Sequence, residues 1–277
     1  MIKFLKKSST WAISITTGIF TIVPETFFGK YKLILDASNE TNIVLNRVLF
    51  FVGVFMLSII GNAVWLRYRK KFRIKGKNYI IQIEYGDILK ISDCKKVINF
   101  DECFTTSVGD APSEIKPGSI CGQYLNDNPI QDIDMKNLIN QANLKSARSK
   151  SKYQNKDRYD SGKLVPNGDD LLMAFAKLDE DGRGIFFSRD EFLNCLSILW
   201  KEIDKYYAQK DVCIPILGSG ITRMDGESNA SLTQQELLDI IISSYKLSSH
   251  KIKSPYKLRI VCKKCDEFSL NKIGENI

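Results

Sequence analysis

The sequence contains a run of nineteen residues without a charged side chain, residues 48–66, which reads VLFFVGVFMLSIIGNAVWL. At about 1.5 Å per residue, a helix of this length crosses the roughly 30 Å hydrocarbon layer of a membrane. Seven Lys or Arg follow at residues 67–77 and supply much of the net charge of +8. Because basic residues beside an apolar helix mark its cytoplasmic end, we interpret this run as a membrane flank and not as a nucleic-acid-binding patch.

A second apolar segment, residues 11–28, precedes this run and carries Pro24 and Glu25 near its end. Its basic start fits a signal peptide, although no Ala-x-Ala-like cleavage site follows. For that reason we favour a first transmembrane helix, which gives helices at about residues 10–28 and 46–66 with basic residues at both outer flanks. The second interpretation predicts a two-helix anchor over residues 1–70, a multi-pass protein of the inner membrane, and both termini in the cytoplasm. A hairpin this small has little internal contact area, which favours a homo-oligomer in membrane lipid, with Asn62 available for a hydrogen bond between copies.

Residues 71–277 alternate strand-like and helix-like segments and are predicted to form one cytoplasmic domain. Strands are predicted at residues 79–85, 96–100, 170–177, 184–187, 212–217 and 256–262, and helices at residues 188–207 and 232–247. Ser188 and Glu191 form a capping box at the start of the first helix. Residues 126–162 are polar and are predicted to be an exposed insertion with one short helix near residues 135–141. The pattern predicts an α/β fold, a mixed-sheet α/β/α sandwich.

Two motifs that often bind metals are interpreted otherwise. The stretch FAKLDEDGRGIFFSRDEF resembles a calcium loop, but Arg183 occupies a ligand position and Asp190 stands at the twelfth position instead of Glu. A tight β-hairpin explains the same glycines. Cys262 and Cys265 form a CxxC pair, but no second pair completes a zinc site. We therefore predict no metal site.

The apolar residues 212–217 lead directly into Gly218-Ser219-Gly220, and a helix-like segment follows. A buried strand that ends in such a turn directs several backbone N–H groups at one spot. Such a nest binds anions, and glycine lets a phosphate approach the backbone closely.

Three separated pieces occur in a recognisable order: YGDI at residues 85–88, VINFDECFTTSVGD at residues 97–110 and PILGSGITRMDG at residues 215–226. This order resembles macro domains, which bind ADP-ribose. With FLNCLSILWKEIDKYY at residues 192–207, the strings are similar to the Thoeris anti-phage effector family ThsA, in the version that carries two transmembrane helices. The resemblance extends over nearly the whole chain.

The resemblance implies a set of ligand-binding residues. Asp87 corresponds to the acid that accepts a hydrogen bond from the adenine amino group, the glycine loop to the diphosphate site, and Asn99 to an amide near the distal ribose. The implied set is Gly86, Asp87, Ile88, Asn99, Asp101, Leu217, Gly218, Ser219, Gly220, Ile221 and Thr222. The stretch INFDECF replaces the usual Asn-Ala-Ala-Asn, which leaves the distal end of the ligand open. From the residues alone, Asp87 and Ser219 fit turn caps and Asn99 fits a strand-end turn residue.

By the same resemblance, the macro domain binds an NAD-derived ADP-ribose signal, implied to be histidine–ADP-ribose, made by a TIR-domain partner. Binding then leads to oligomerisation and membrane disruption. No catalytic residue and no cofactor are expected, because His250 is the single histidine and no nucleophile–base pair is visible. Two alternatives stay open: an ADP-ribosyl hydrolase that uses an activated water, and a passive membrane scaffold or transporter subunit.

Overall fold

A computed structural model describes residues 2–35, 38–185, 188–219, 232–264 and 268–273. The chain divides into two compact units, Met1–Arg69 and Lys70–Ile277. This division lies one residue before the boundary that we expect at residue 70.

The first unit consists of three helices, α1 (Ile2–Ile22), α2 (Glu25–Phe28) and α3 (Asn39–Arg67). The first helix begins and ends earlier than the predicted residues 10–28, because Pro24 lacks an N–H and starts the short α2 instead. The Ser38 side chain caps α3 by accepting a hydrogen bond from the Thr41 N–H. As a result α3 is longer than the predicted residues 46–66.

Among the residues that the structure describes, α3 is the one helix long and apolar enough to cross a membrane. Val48, Leu49 and Leu57 expose more than half of their surface, as lipid-facing side chains do. A second membrane span in α1 stays a prediction.

Buried polar side chains join α1 to α3. The Asn62 amide donates a hydrogen bond of 3.1 Å to the Ser8 hydroxyl, and both side chains are fully buried. Phe20 and Phe50 pack with their ring centroids 5.9 Å apart. The structure therefore gives the Asn62 amide a partner within one chain, and a hydrogen bond between copies stays a prediction.

The second unit is built on a mixed eight-stranded sheet. Its strands are β1 (Lys71–Lys75), β2 (Ile80–Tyr85), β3 (Cys94–Asp101), β4 (Leu164–Asn167), β5 (Asp170–Leu178), β6 (Gly184–Ile185), β7 (Asp211–Pro215) and β8 (Leu258–Cys262). They lie in the order β1-β2-β8-β7-β3-β5-β4, with β6 beside β5. The five inner strands are parallel, and β1 and β4 run antiparallel at the two edges.

Helices cover both faces of this sheet, as predicted. The helices are α4 (Ile120–Asp127), α5 (Asp132–Gln141), α6 (Arg189–Tyr206) and α7 (Gln234–Leu247). One core contains Val97 of β3 with Trp200 and Leu238 from α6 and α7. The other contains Ile98 and side chains of α4 and α5. Successive residues of β3 thus enter opposite cores, as the period of a strand requires.

The predicted insertion, residues 126–162, is not simply exposed. Met135 and Ile139 of α5 are buried in the second core, and Ser151 is buried as well. These two apolar residues lie one helical turn apart in a polar stretch, which suffices to attach the helix to the sheet. The preceding helix α4 has only eight residues and was not predicted.

The predicted β-hairpin is confirmed. Lys177 pairs with Ile185 and Leu178 with Gly184 in antiparallel register. The Asp179 carboxylate accepts hydrogen bonds from the backbone N–H groups of Asp181 and Arg183. Asp179, which resembles a calcium ligand in the sequence, therefore stabilises the hairpin turn.

Candidate functional site

Most of the predicted ligand-binding residues follow parallel strands that end at the same edge of the sheet, whereas Asn99 and Asp101 lie within β3. Tyr85 at the end of β2 pairs with Cys262 of β8, and Pro215 at the end of β7 pairs with Val261. The residues after β2 and after β7 are therefore separated by the width of one strand. Ligands of open α/β sheets bind beyond the carboxyl ends of the strands, which makes this edge the candidate site.

Asp87 caps a short 3₁₀ helix, Ile88–Lys90, at this edge. Its Oδ1 accepts a hydrogen bond of 3.1 Å from the Leu89 N–H, and its Oδ2 lies 3.9 Å from the Lys90 ammonium. The Gly86 N–H donates to the Cys262 carbonyl at 3.1 Å, which fixes the loop to β8. The capping interpretation is confirmed, and the half-exposed carboxylate retains Oδ2 for a ligand. A contact with adenine stays a prediction.

A depression opens beside Asp87. Its walls combine apolar side chains with a few polar ones, as in many ligand sites. They are Gly86, Asp87, Ile88, Leu89, Ile120, Gln123, Pro215, Val261 and Lys263. The cavity volume is only about 20 Å³, which is enough for a water molecule. A nucleotide base therefore enters only if wall side chains such as Gln123 and Lys263 move.

The turn after β7 has the conformation that glycine permits. Gly218 has a φ of +79°, in the left-handed region. A Cβ atom at this position would lie 3.5 Å from Leu237 Cδ2, an ordinary contact, so the requirement for glycine is conformational. The Ser219 hydroxyl donates a hydrogen bond of 2.7 Å to the Ile216 carbonyl and closes the turn, which confirms its capping role. The predicted Gly220, Ile221 and Thr222 lie outside the described residues.

Asn99 carries an unpaired hydrogen-bond acceptor. It lies within β3, opposite Met173 of β5, so the interpretation as a strand-end turn residue is wrong. Its Oδ1 is buried and has no hydrogen-bond partner. An unsatisfied buried acceptor is costly, and such an atom requires an explanation. Asn99 lies two residues before the carboxyl end of β3 and is not among the residues that line the depression beside Asp87, so its contact with a ligand stays a prediction.

Asp101 has a structural environment. The side chain is 6% exposed, and Oδ1 accepts hydrogen bonds from the Cys103 N–H at 2.8 Å and the Thr105 N–H at 3.2 Å. Burial raises the pKa of the Asp101 carboxyl above its usual value, and the hydrogen bonds offset only part of that rise. The residue therefore organises the turn after β3, and its contact with a ligand stays a prediction.

Glu102 is a residue of this edge that the sequence analysis missed. Its Oε1 accepts from the Ser151 hydroxyl at 2.6 Å and from the Leu178 N–H at 3.2 Å. Its Oε2 lies 3.5 Å from the Arg158 guanidinium. The buried carboxylate thus joins the ends of β3 and β5 to the loop after α5. Its position directly after a buried strand was the available signal.

The chain is similar to a known protein family. The family described as Thoeris protein ThsA, Macro domain, matches residues 81–263. The chain is 29% identical over 267 residues to the Thoeris protein ThsA of Bacillus amyloliquefaciens (strain Y2). The aligned part covers 94% of this chain and 86% of that protein.

Two solved macrodomain structures are also similar to part of this chain. A mutant Oceanobacillus iheyensis macrodomain with ADPR aligns with a TM-score of 0.43 and 10% identity, covering 70% of this chain and 90% of that chain. The macrodomain of Thermus aquaticus DarG aligns with a TM-score of 0.37 and 11% identity, covering 66% and 97%.

Proposed function

Because the chain belongs to the Thoeris ThsA family through its macro domain, we propose that it is a membrane-anchored anti-phage effector that binds an ADP-ribose derivative. The observation that carries this proposal is the placement of Asp87 and Gly218 after β2 and β7, which end at one edge of the sheet. In the proposed mode, the acid faces the base of the nucleotide and the left-handed glycine faces its phosphates.

The proposed binding mode assigns one feature to each part of the ligand. Oδ2 of Asp87 accepts a hydrogen bond from the adenine amino group, since Oδ1 already holds the Leu89 N–H. Backbone N–H groups of the turn at Gly218 and Ser219 hold the diphosphate. The unpaired Oδ1 of Asn99 accepts a hydrogen bond from a hydroxyl or amine at the distal end of the ligand. A histidine conjugate offers such donors, and we propose histidine–ADP-ribose, made from NAD by a TIR-domain partner.

The membrane part follows from α3. We propose that α3 spans the inner membrane with its basic end, which begins at Arg67, in the cytoplasm, and that α1 is retained as a second span. Signal binding then drives self-association of the anchors and disrupts the membrane. Ligand binding produces this response only if the assembled state binds the signal more tightly than the resting state.

The structure gives less support to a hydrolase. His250 Nδ1 lies 3.0 Å from Oδ2 of Asp204 near the end of α6. Because α6 leads into the amino end of β7, this pair lies toward the opposite edge of the sheet from Gly218. The Oδ1 atom of Asp101 already accepts hydrogen bonds from two backbone N–H groups. Binding without turnover is therefore the function that we propose, in preference to hydrolysis.

Calorimetry of the full chain in detergent with histidine–ADP-ribose and ADP-ribose tests this proposal. We expect saturable binding and full recovery of the intact nucleotide after incubation. Saturable binding with release of free ADP-ribose would indicate a hydrolase. No binding of either nucleotide by a folded, membrane-inserted chain would favour a passive scaffold.

A further inference from the structure

The edge strand β1 presents a row of basic side chains. Lys71, Arg73 and Lys75 occupy alternate positions of the strand and are all exposed. Alternate residues of a strand point to the same face of the sheet. Phe72 and Ile74 point to the other face and pack against the main core. The strand is thus anchored by its apolar side, and its basic side faces solvent.

Neighbouring side chains hold two of these cations in place. The Lys71 ammonium lies 3.0 Å from Oε2 of Glu84, and Nε of Arg73 donates a hydrogen bond of 2.8 Å to Gln82 Oε1. Glu84 also pairs with Arg259. Within β1, β2 and β8, this face therefore carries four positive side chains against one buried carboxylate, which leaves an excess of positive charge.

Two more cations flank the row, because Lys70 and Lys77 are exposed on either side of β1. We name Lys70, Lys71, Arg73, Lys75 and Lys77 the β1 basic face. Three residues lie between the end of α3 at Arg67 and Lys71, so the two Cα atoms are at most about 14 Å apart. If α3 crosses the membrane as proposed above, this covalent connection keeps the row close to the cytoplasmic leaflet.

We propose that the β1 basic face binds the phosphate groups of anionic lipids in that leaflet. Clusters of Lys and Arg directly after a membrane span are attracted to anionic lipid surfaces, and the attraction decays within a Debye length. A strand holds its cations at fixed alternate positions, so several of them reach the headgroups together. The proposal rests on the proposed membrane span of α3.

The test is lysine footprinting of the full chain in nanodiscs of phosphatidylcholine, with or without phosphatidylglycerol. An amine-reactive acylating reagent labels exposed lysines, and mass spectrometry gives the rate at each site. We expect labelling of Lys70, Lys71, Lys75 and Lys77 to slow severalfold in the anionic discs and to recover at high salt. Lys136 and Lys201 are exposed on α5 and α6, and their rates should not change.

Charge-neutral variants provide the matched comparison. Lys70→Gln/Lys75→Gln/Lys77→Gln removes three exposed cations, and we expect the protection of Lys71 to be lost. Lys136→Gln/Lys152→Gln/Lys201→Gln removes the same charge elsewhere, and we expect Lys71 to remain protected. Unchanged urea denaturation curves show that each variant is folded.

The outcomes separate this proposal from the proposed function. A chain that inserts in the discs but labels equally in both lipids overturns the lipid proposal alone, and the cations then protect an edge strand from aggregation. Protection by single-stranded RNA in neutral discs, with none from anionic lipid, also overturns it. A chain that does not insert at all contradicts the proposed membrane span, and the lipid proposal fails with it.

Discussion

The Ser151 hydroxyl donates a hydrogen bond of 2.6 Å to Oε1 of Glu102, across 49 positions of the sequence. The same oxygen accepts from the Leu178 N–H at the end of β5. This contact attaches the loop after α5 to the edge of the sheet where the candidate site lies. The shape of that edge therefore depends on a buried carboxylate that does not itself belong to the predicted ligand set.

Ser151→Ala is expected to lower the free energy of unfolding by about 1–3 kcal/mol, because it leaves a buried acceptor without one of its donors. Urea denaturation in detergent, monitored by the fluorescence of the buried Trp200, measures the change. Ser146→Ala, at an exposed serine of the same loop, is the control and should change the free energy little. Equal effects of the two variants would contradict the structural role of Glu102.

Asp101 is expected to make stability depend on pH. Burial raises its folded-state pKa above the unfolded value of about 3.9, so the folded state binds the proton more tightly. The resulting stabilisation is complete below the unfolded pKa and is lost as the pH rises through the folded pKa. Asp101→Asn keeps an oxygen for the Cys103 and Thr105 N–H groups but does not titrate. Its stability relative to the wild type should increase as the pH rises from about 4 through the raised folded-state pKa of Asp101, whereas parallel denaturation curves would contradict this account.

Asp87→Asn separates the cap from ligand recognition. The amide oxygen can still accept from the Leu89 N–H, so the free energy of unfolding should change little. The amide NH₂ then replaces Oδ2 and faces the adenine amino group as a second donor. We expect calorimetry to show histidine–ADP-ribose binding weaker by about 1–3 kcal/mol.

Asp93→Asn is the matched control for this change. Asp93 is exposed and has a φ of +57°, which Asn tolerates well. Unaltered affinity in Asp87→Asn would remove this carboxylate from the site.

Local sequence signals predicted the parts of the fold that depend on local contacts. The capping box of Ser188 and Glu191 and the hairpin before it were both confirmed. The contacts of Glu102 were not predictable in the same way. Its partners Ser151 and Arg158 are about fifty residues away in the sequence, and they reach Glu102 only when the loop after α5 is folded. Asn99 was assigned from a resemblance, and its unpaired oxygen became visible only in the packed sheet.

Gly218→Ala is expected to reduce both stability and ligand binding. A residue with a Cβ in the left-handed conformation costs about 1–2 kcal/mol, and relief of that cost moves the turn. Gly168→Ala is the control, because Gly168 also has a positive φ, of +63°, with open space around it in the turn between β4 and β5. Urea denaturation should show similar losses for the two variants, and calorimetry should show weaker binding for Gly218→Ala alone. If both variants bind the ligand more weakly, general destabilisation and not the turn at Gly218 explains the loss of affinity.

The contact between Ser8 and Asn62 gives a test of whether α1 is retained beside α3. The two side chains are buried and lie 3.1 Å apart, and the Lys7 ammonium lies 3.8 Å from the ring centroid of Trp65 one turn further along α3. A cysteine pair, Ser8→Cys/Asn62→Cys, should therefore form a disulfide within one chain when membranes are oxidised, because the two positions face each other. Thr10→Cys/Asn62→Cys is the control, since Thr10 is exposed on another side of α1 and should form little of this bond.

Peptide mapping by mass spectrometry distinguishes the possible results of this oxidation. A linked peptide that contains both cysteines from one chain supports a retained hairpin. A mature chain that begins after residue 28 would show that the first apolar segment is a cleaved signal peptide. Disulfide-linked dimers through Asn62→Cys would place this position between copies and contradict the packing of α1 on α3. We expect the linked peptide from one chain, because the Asn62 amide donates a hydrogen bond to Ser8 and the side chain is fully buried against α1.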